Sequence, residues 1–107
     1  MQELQTDNLA EIVRSKPKVV VQYGAGWCGN CRMIKPKFRK LGDTHADLEF
    51  VYVDAEKFPE SRKLATVANL PTFAVFRDGL LVAQNEGNKI ETVENLIQQL
   101  RNQGDAS

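Results

Sequence analysis

With 107 residues, the chain is long enough for one domain of ordinary size and too short for two. Apolar residues make up 42% and charged residues 26%, the balance of a globular protein rather than of a disordered or membrane-spanning chain. Fourteen basic and fourteen acidic residues cancel to zero formal charge, which removes the long-range field that would gather nucleic acid or an acidic membrane.

The opening residues, MQELQTDNLAEIVRSKPK, hold no apolar run of signal-peptide length, and no later segment approaches a membrane span. A cytoplasmic location is the expectation, and there disulfides are mostly transient and catalytic. A short strand in QELQ is followed by a helix over residues 6–14, with cap-type Thr6 and Asp7 and with Leu9, Ile12 and Val13 at helical spacing. Pro17 marks its stop. KVVVQYGAG then reads as a strand buried on both faces, broken by glycines. A helix starts near Cys28, carries Ile34, Phe38 and Leu41 on one face, and is expected to stop at Gly42, with Pro36 kinking it.

LEFVYVD, residues 48–54, is a second buried strand. Pro59 suits a first helical position, and Leu64, Val67 and Ala68 predict a helix running up to Leu70. TFAVF and LLVAQ flank Asp78-Gly79, a strong hairpin signal. The last helix is predicted over about 89–102, with Asn88 and Glu91 as a capping box and Ile90, Val93, Leu96, Ile97 and Leu100 as its buried stripe. Residues from about 103 to 107 are expected to fray. Strands joined through helices imply parallel pairing, and the closing hairpin adds an antiparallel edge. The expectation is one α/β domain over 1–107, a mixed sheet covered by helices on both faces.

The two cysteines of the chain, Cys28 and Cys31, stand in AGWCGNCRM beside the one tryptophan. At the first turn of a helix, the Cys28 sulfur would face unpaired N–H groups and the positive end of the helix dipole, which favour a thiolate. Cys31 lies one turn further in on the same face, so Cys28 is assigned as the attacking thiol and Cys31 as the resolving one. A zinc site would have to recruit His45 and a carboxylate, because no further cysteine exists. No metal is therefore expected, and His45 reads as a solvated loop residue. Trp27 is either a packing residue or a flat face of the docking surface.

These residues resemble the thioredoxin family over nearly the whole chain. WCGNC is similar to the family's Trp-Cys-Gly-Pro-Cys, RMIKP to the segment after it, and NLPTF to the loop with a cis proline opposite the active site. Gly87 matches a glycine bordering the substrate groove. The resemblance implies a thioredoxin fold, with a central mixed sheet of four to five strands flanked by four helices. It also implies a cis Pro71 that leaves the Leu70 amide and carbonyl free to pair with an extended substrate. Trp27, Leu70, Pro71, Thr72 and Gly87 would line the groove, and Gly29, Asn30 and Gln22 would support the cysteines.

The sequence departs from the family pattern in several places. Asn30 replaces a proline, and its N–H is expected to reach the sulfurs, favour the Cys28 thiolate and raise the potential by tens of millivolts. Gln22 stands where the family has a buried aspartate, and an amide cannot titrate. It is expected to orient a water or bond to sulfur, with slower activation of Cys31. Phe50 stands where some members carry the lysine that pairs with that aspartate. Gly24 replaces a second tryptophan, while Glu86 and Asn88 flank Gly87 where members are usually apolar. The groove should be more polar and one ring poorer.

The function so implied is reduction of protein disulfides by dithiol–disulfide exchange, with the Cys28–Cys31 disulfide as redox group and no bound cofactor, since the chain has no Gly-rich dinucleotide loop. A separate NADPH-dependent flavoprotein reductase would supply electrons, and a monomer with no nucleic-acid or membrane partner is expected. The alternatives are a disulfide oxidant or isomerase, and a binding module whose catalysis is secondary.

Overall fold

Val19, Val20 and Val21 have no exposed surface, because their strand runs through the middle of a five-stranded sheet. A computed structural model describes residues 1–105. In chain order these form β1 (Gln2–Glu3), α1 (Leu9–Ser15), β2 (Lys18–Gly24), α2 (Gly29–Thr44), β3 (Glu49–Asp54), α3 (Pro59–Arg62), β4 (Thr72–Arg77), β5 (Leu80–Glu86) and α4 (Ile90–Asp105). Across the sheet the strands run β1-β3-β2-β4-β5. The expected parallel pairing holds for β1, β3 and β2, whereas β4 joins β2 antiparallel, so the sheet becomes mixed at its centre. Asp78 and Gly79 both adopt positive φ, 52° and 85°, as the two-residue turn into β5 requires.

Side chains alternate across the sheet. Val19, Val21, Val51, Val53 and Phe76 pack under Leu9, Ile12 and Val13 of α1. Val20, Phe50, Phe73 and Val75 meet Ile34 and Phe38 of α2 and the Val93, Leu96, Ile97 and Leu100 stripe of α4. At about 25 cal/mol per Å², each such buried side chain contributes about 1.5–3 kcal/mol. No described helix is long and apolar enough to cross a membrane.

Several boundaries differ from the sequence expectation. Helix α1 starts at Leu9 with Asn8 as N-cap, and Asp7 serves another helix instead. Its carboxylate accepts from the Glu60 amide at 2.9 Å, the Ser61 amide at 2.7 Å and the Ser61 hydroxyl at 2.6 Å. The Ser61 hydroxyl in turn accepts from the Leu9 amide at 3.2 Å, so each segment caps the other. Gly42 lies inside α2 rather than ending it. A Cβ there would stand 3.0 Å from the Phe50 ring, so the glycine admits that ring.

Helix α3 stops at Arg62 and does not reach Leu70. The Gln84 side chain of β5 donates to the Thr66 carbonyl at 2.7 Å and accepts from the Thr66 amide at 2.8 Å. Arg62 donates to the Val67 carbonyl at 2.8 Å. Backbone groups that would have continued the helix are thereby committed elsewhere. Helix α4 begins at Ile90, one residue past the predicted start, which takes Asn88 out of the N-cap position. It continues to Asp105, beyond the predicted end, while Ala106 and Ser107 of the expected frayed tail lie outside the described residues.

Candidate active site

Strand β2 delivers the chain to the site. After Gly24, Ala25 is fully buried, and its carbonyl accepts from the Cys28 amide at 3.1 Å, turning the backbone into α2. Cys28 is the N-cap of that helix, with extended backbone at φ −83° and ψ 107°. Its sulfur takes the part a serine or aspartate oxygen usually plays, accepting from the Cys31 amide at 3.2 Å. The two cysteines are joined in a disulfide, with Cα atoms 5.2 Å apart. Cys28 keeps 6% of its surface exposed and Cys31 none, so an approaching sulfur can meet only the first. No acidic residue occupies the first turn of α2 to oppose a thiolate there.

The donor expected from Asn30 is replaced by that of Cys31, one residue further along. Residue 30 instead lines a groove with Leu70 and Pro71. Gln22 is wholly buried, and its Nε2 donates to the Cys31 carbonyl at 3.2 Å rather than bonding to sulfur. Its Oε1 has no partner among the described residues. In register, Gln22 lies between Tyr52 and Phe73 on the sheet face that α2 and α4 cover. Phe50, where a cation would otherwise stand, packs on Phe38 at 4.8 Å between centroids.

The second wall comes from the loop before β4. The Leu70–Pro71 peptide bond is cis. Leu70 packs on Ala25, Cys28 and Cys31, while its amide and carbonyl have no hydrogen-bond partner among the described residues. Gly87, at φ 143°, donates its amide to the Pro71 carbonyl at 3.3 Å and closes that wall. Thr72 is 1% exposed and turns its hydroxyl to the Asn69 carbonyl, so its side chain shapes the loop and does not line the groove. Trp27, by contrast, is 67% exposed beside the cysteines, which removes the packing reading of that ring.

A groove of about 210 Å³ on one side of Leu70 is lined by Asn30, Asn69, Pro71, Glu86 and Asn88. One of about 330 Å³ on the other side is lined by Trp27, Glu56, Arg62 and Ala68. The polar character expected from Glu86 and Asn88 is present. The missing ring at Gly24 is made up from the neighbouring strand, because a Cβ there would fall 2.6 Å from the Tyr52 hydroxyl. Lys35 sits over the Tyr52 ring at 4.1 Å and pairs with Glu3 at 2.6 Å. Burial, and then the charges of Asp54 and Glu3, push the Tyr52 phenol above its usual range.

His45 is half-buried rather than solvated. Its Nδ1 lies 3.0 Å from the Arg101 guanidinium and its ring stacks near Phe50. Among the described residues no three His, Cys, Asp or Glu side chains gather where they could hold a metal ion. Tyr52, Asn69 and Arg62 escaped the sequence reading. Only the register of β2 against β3 could have pointed to Tyr52, since it places position 52 two residues along from the partner of Gly24.

A disulfide whose more accessible sulfur caps a helix, set beside a loop with open backbone groups, is built for sulfur exchange: the molecule is a thiol–disulfide oxidoreductase. The thioredoxin family model matches residues 1–102, and the chain belongs to that family. It is 44% identical to Thioredoxin-like 3-3 of Arabidopsis thaliana over 71 residues, 66% of this chain and 55% of that relative's length. It is 34% identical to Thioredoxin H2 of the same plant over 91 residues, covering 85% of this chain and 68% of the relative. The crystal structure of oxidised mitochondrial Thioredoxin 3 from Saccharomyces cerevisiae superimposes with a TM-score of 0.83 at 28% identity, covering 92% of this chain and 93% of that one.

Proposed function

We propose that the chain works as a reductase of disulfides in other proteins, as one domain over 1–107 and as a monomer in the cytoplasm. The observation that carries this reading is the difference between the two sulfurs, one capped and reachable, the other enclosed. In the reduced protein the Cys28 thiolate attacks one sulfur of a substrate disulfide. A Cys28–substrate disulfide forms, the substrate S–S bond breaks, and the departing thiolate takes up a proton. Cys31 then loses its proton and attacks the Cys28 sulfur, which releases the second substrate thiol and restores the Cys28–Cys31 disulfide. Two electrons have passed to the substrate. An NADPH-dependent flavoprotein reductase would return them, and the chain needs no bound cofactor.

Trp27 and the open Leu70 backbone would hold the substrate as an extended segment, with Pro71 and Gly87 behind them. Gly29 opens α2 onto free space, where a Cβ would meet nothing within 4 Å, so the fold itself does not require a glycine there. Insulin reduction tests the reading: Cys28→Ser should abolish turnover, while Cys31→Ser should accumulate mixed disulfides. A reduction potential near about −270 mV fits a reductase, and one near about −120 to −180 mV would turn the reading to an oxidant or isomerase.

A further inference from the structure

We propose that Glu86 makes this site select disulfides flanked by a lysine or arginine, an inference that deepens the reductase reading and rests on it. Glu86 ends β5 and pairs in register with Thr72, two residues past the open backbone of Leu70. Its carboxylate is held in place by the Asn69 amide, whose Nδ2 donates to Oε1 at 3.2 Å and to Oε2 at 3.1 Å. One amide nitrogen leaves acceptor capacity on both oxygens, the arrangement a guanidinium or ammonium can fill. The ion pairs of the described residues engage Glu3, Asp47 and Glu60, and Glu86 has no cationic partner among those residues.

The same groove presents the side chains of Asn30 and Asn88, which offer further acceptor oxygens and bring no positive charge. The groove on the other side of Leu70 holds Glu56 together with Arg62, whose guanidinium also donates to the Val67 carbonyl. Glu56 and Arg62 offset each other on that side, whereas the groove of Glu86 has no cation in its lining, so the Glu86 flank is the more negative of the two. A substrate segment paired with Leu70 projects alternate side chains to either flank. A cation one or two residues from the attacked cysteine reaches Glu86, while an acidic residue there meets an unpaired carboxylate. Pairing at an exposed site favours the cationic substrate by about two- to fivefold, and screening removes most of that at high salt.

The test uses reduced protein and a set of peptides whose cysteine is blocked as a mixed disulfide with 2-thio-5-nitrobenzoate. The set carries Lys, Gln or Glu at the one or two positions on either side of that cysteine. Attack of Cys28 on the peptide sulfur breaks the S–S bond and releases the coloured thiolate, which is followed by absorbance. At one position at least, Lys should react about two- to fivefold faster than Gln, and Gln faster than Glu. The Lys-to-Glu ratio should fall toward one in 1 M salt and in Glu86→Gln, and invert in Glu86→Lys. Equal rates for the three peptides at every position, or a ratio that Glu86→Gln leaves unchanged, would overturn the subsite while leaving the reductase reading intact. Failure of the wild type on every peptide, including the neutral one, would overturn both.

Discussion

Replacing Gln22 by aspartate places a carboxyl in the one fully buried polar position between the disulfide and the aromatic core. Its register neighbours are Tyr52 and Phe73, and Phe50 fills the place of a possible counter-charge. Burial without a cation raises a carboxyl pKa, here by about three units, within the range known for fully buried acids. At about 1.36 kcal/mol per unit, the ionised form costs about 4 kcal/mol at neutral pH. Because the folded value lies above the unfolded one, the penalty is absent below about pH 4 and grows as pH rises toward 7.

Gln22→Asn is the proper reference, since it matches aspartate in shape and also loses the reach of Nε2 to the Cys31 carbonyl. Urea unfolding of the oxidised variants should give equal stabilities at pH 4 and a gap of about 4 kcal/mol at pH 7. A gap of the same size at both pH values would refute the reasoning, because it would mean that water or a partner reaches position 22.

Ser61→Ala should cost about 1–3 kcal/mol in urea unfolding, since it leaves the buried Leu9 amide without an acceptor; a loss under about 0.5 kcal/mol would show that α1 does not depend on this cap. Gly42→Ala should destabilise by about 1 kcal/mol instead of gaining the usual helix benefit, because its Cβ meets the buried Phe50 side chain at 3.0–3.3 Å; a raised melting temperature would contradict that. The Arg101 hydrogen bond holds the Asp47 carboxyl down to about 2. Burial opposes the charge of Asp7, but the Ser61 hydroxyl and the Glu60 and Ser61 amides outweigh it and lower its pKa as well. Both groups therefore add stability above their usual value of 3.8 that is lost as pH falls through their lowered values, for Asp47 about 2. The thermal midpoint should drop over that interval, and by less in Asp47→Asn.

What could be read along the chain was whatever neighbouring residues decide among themselves. The Cys28–Cys31 spacing, the stripes of α2 and α4, the valine run of β2 and the Asp78-Gly79 turn depend on contacts within a few residues, so local periodicity reports them. Resemblance added the cis bond before Pro71, which spacing alone would not have indicated. The features that read differently depend on distant partners. Asp7 caps α3 across 53 and 54 positions, Gln84 holds Thr66 beyond the end of α3 from 18 away, and Asn69 holds Glu86 from 17 away. Phe50 needs the gap at Gly42, and Tyr52 fills the one at Gly24. Pattern rules see the demand of each backbone group or void for a partner, but only the packed sheet and helices determine which side chain arrives to meet it.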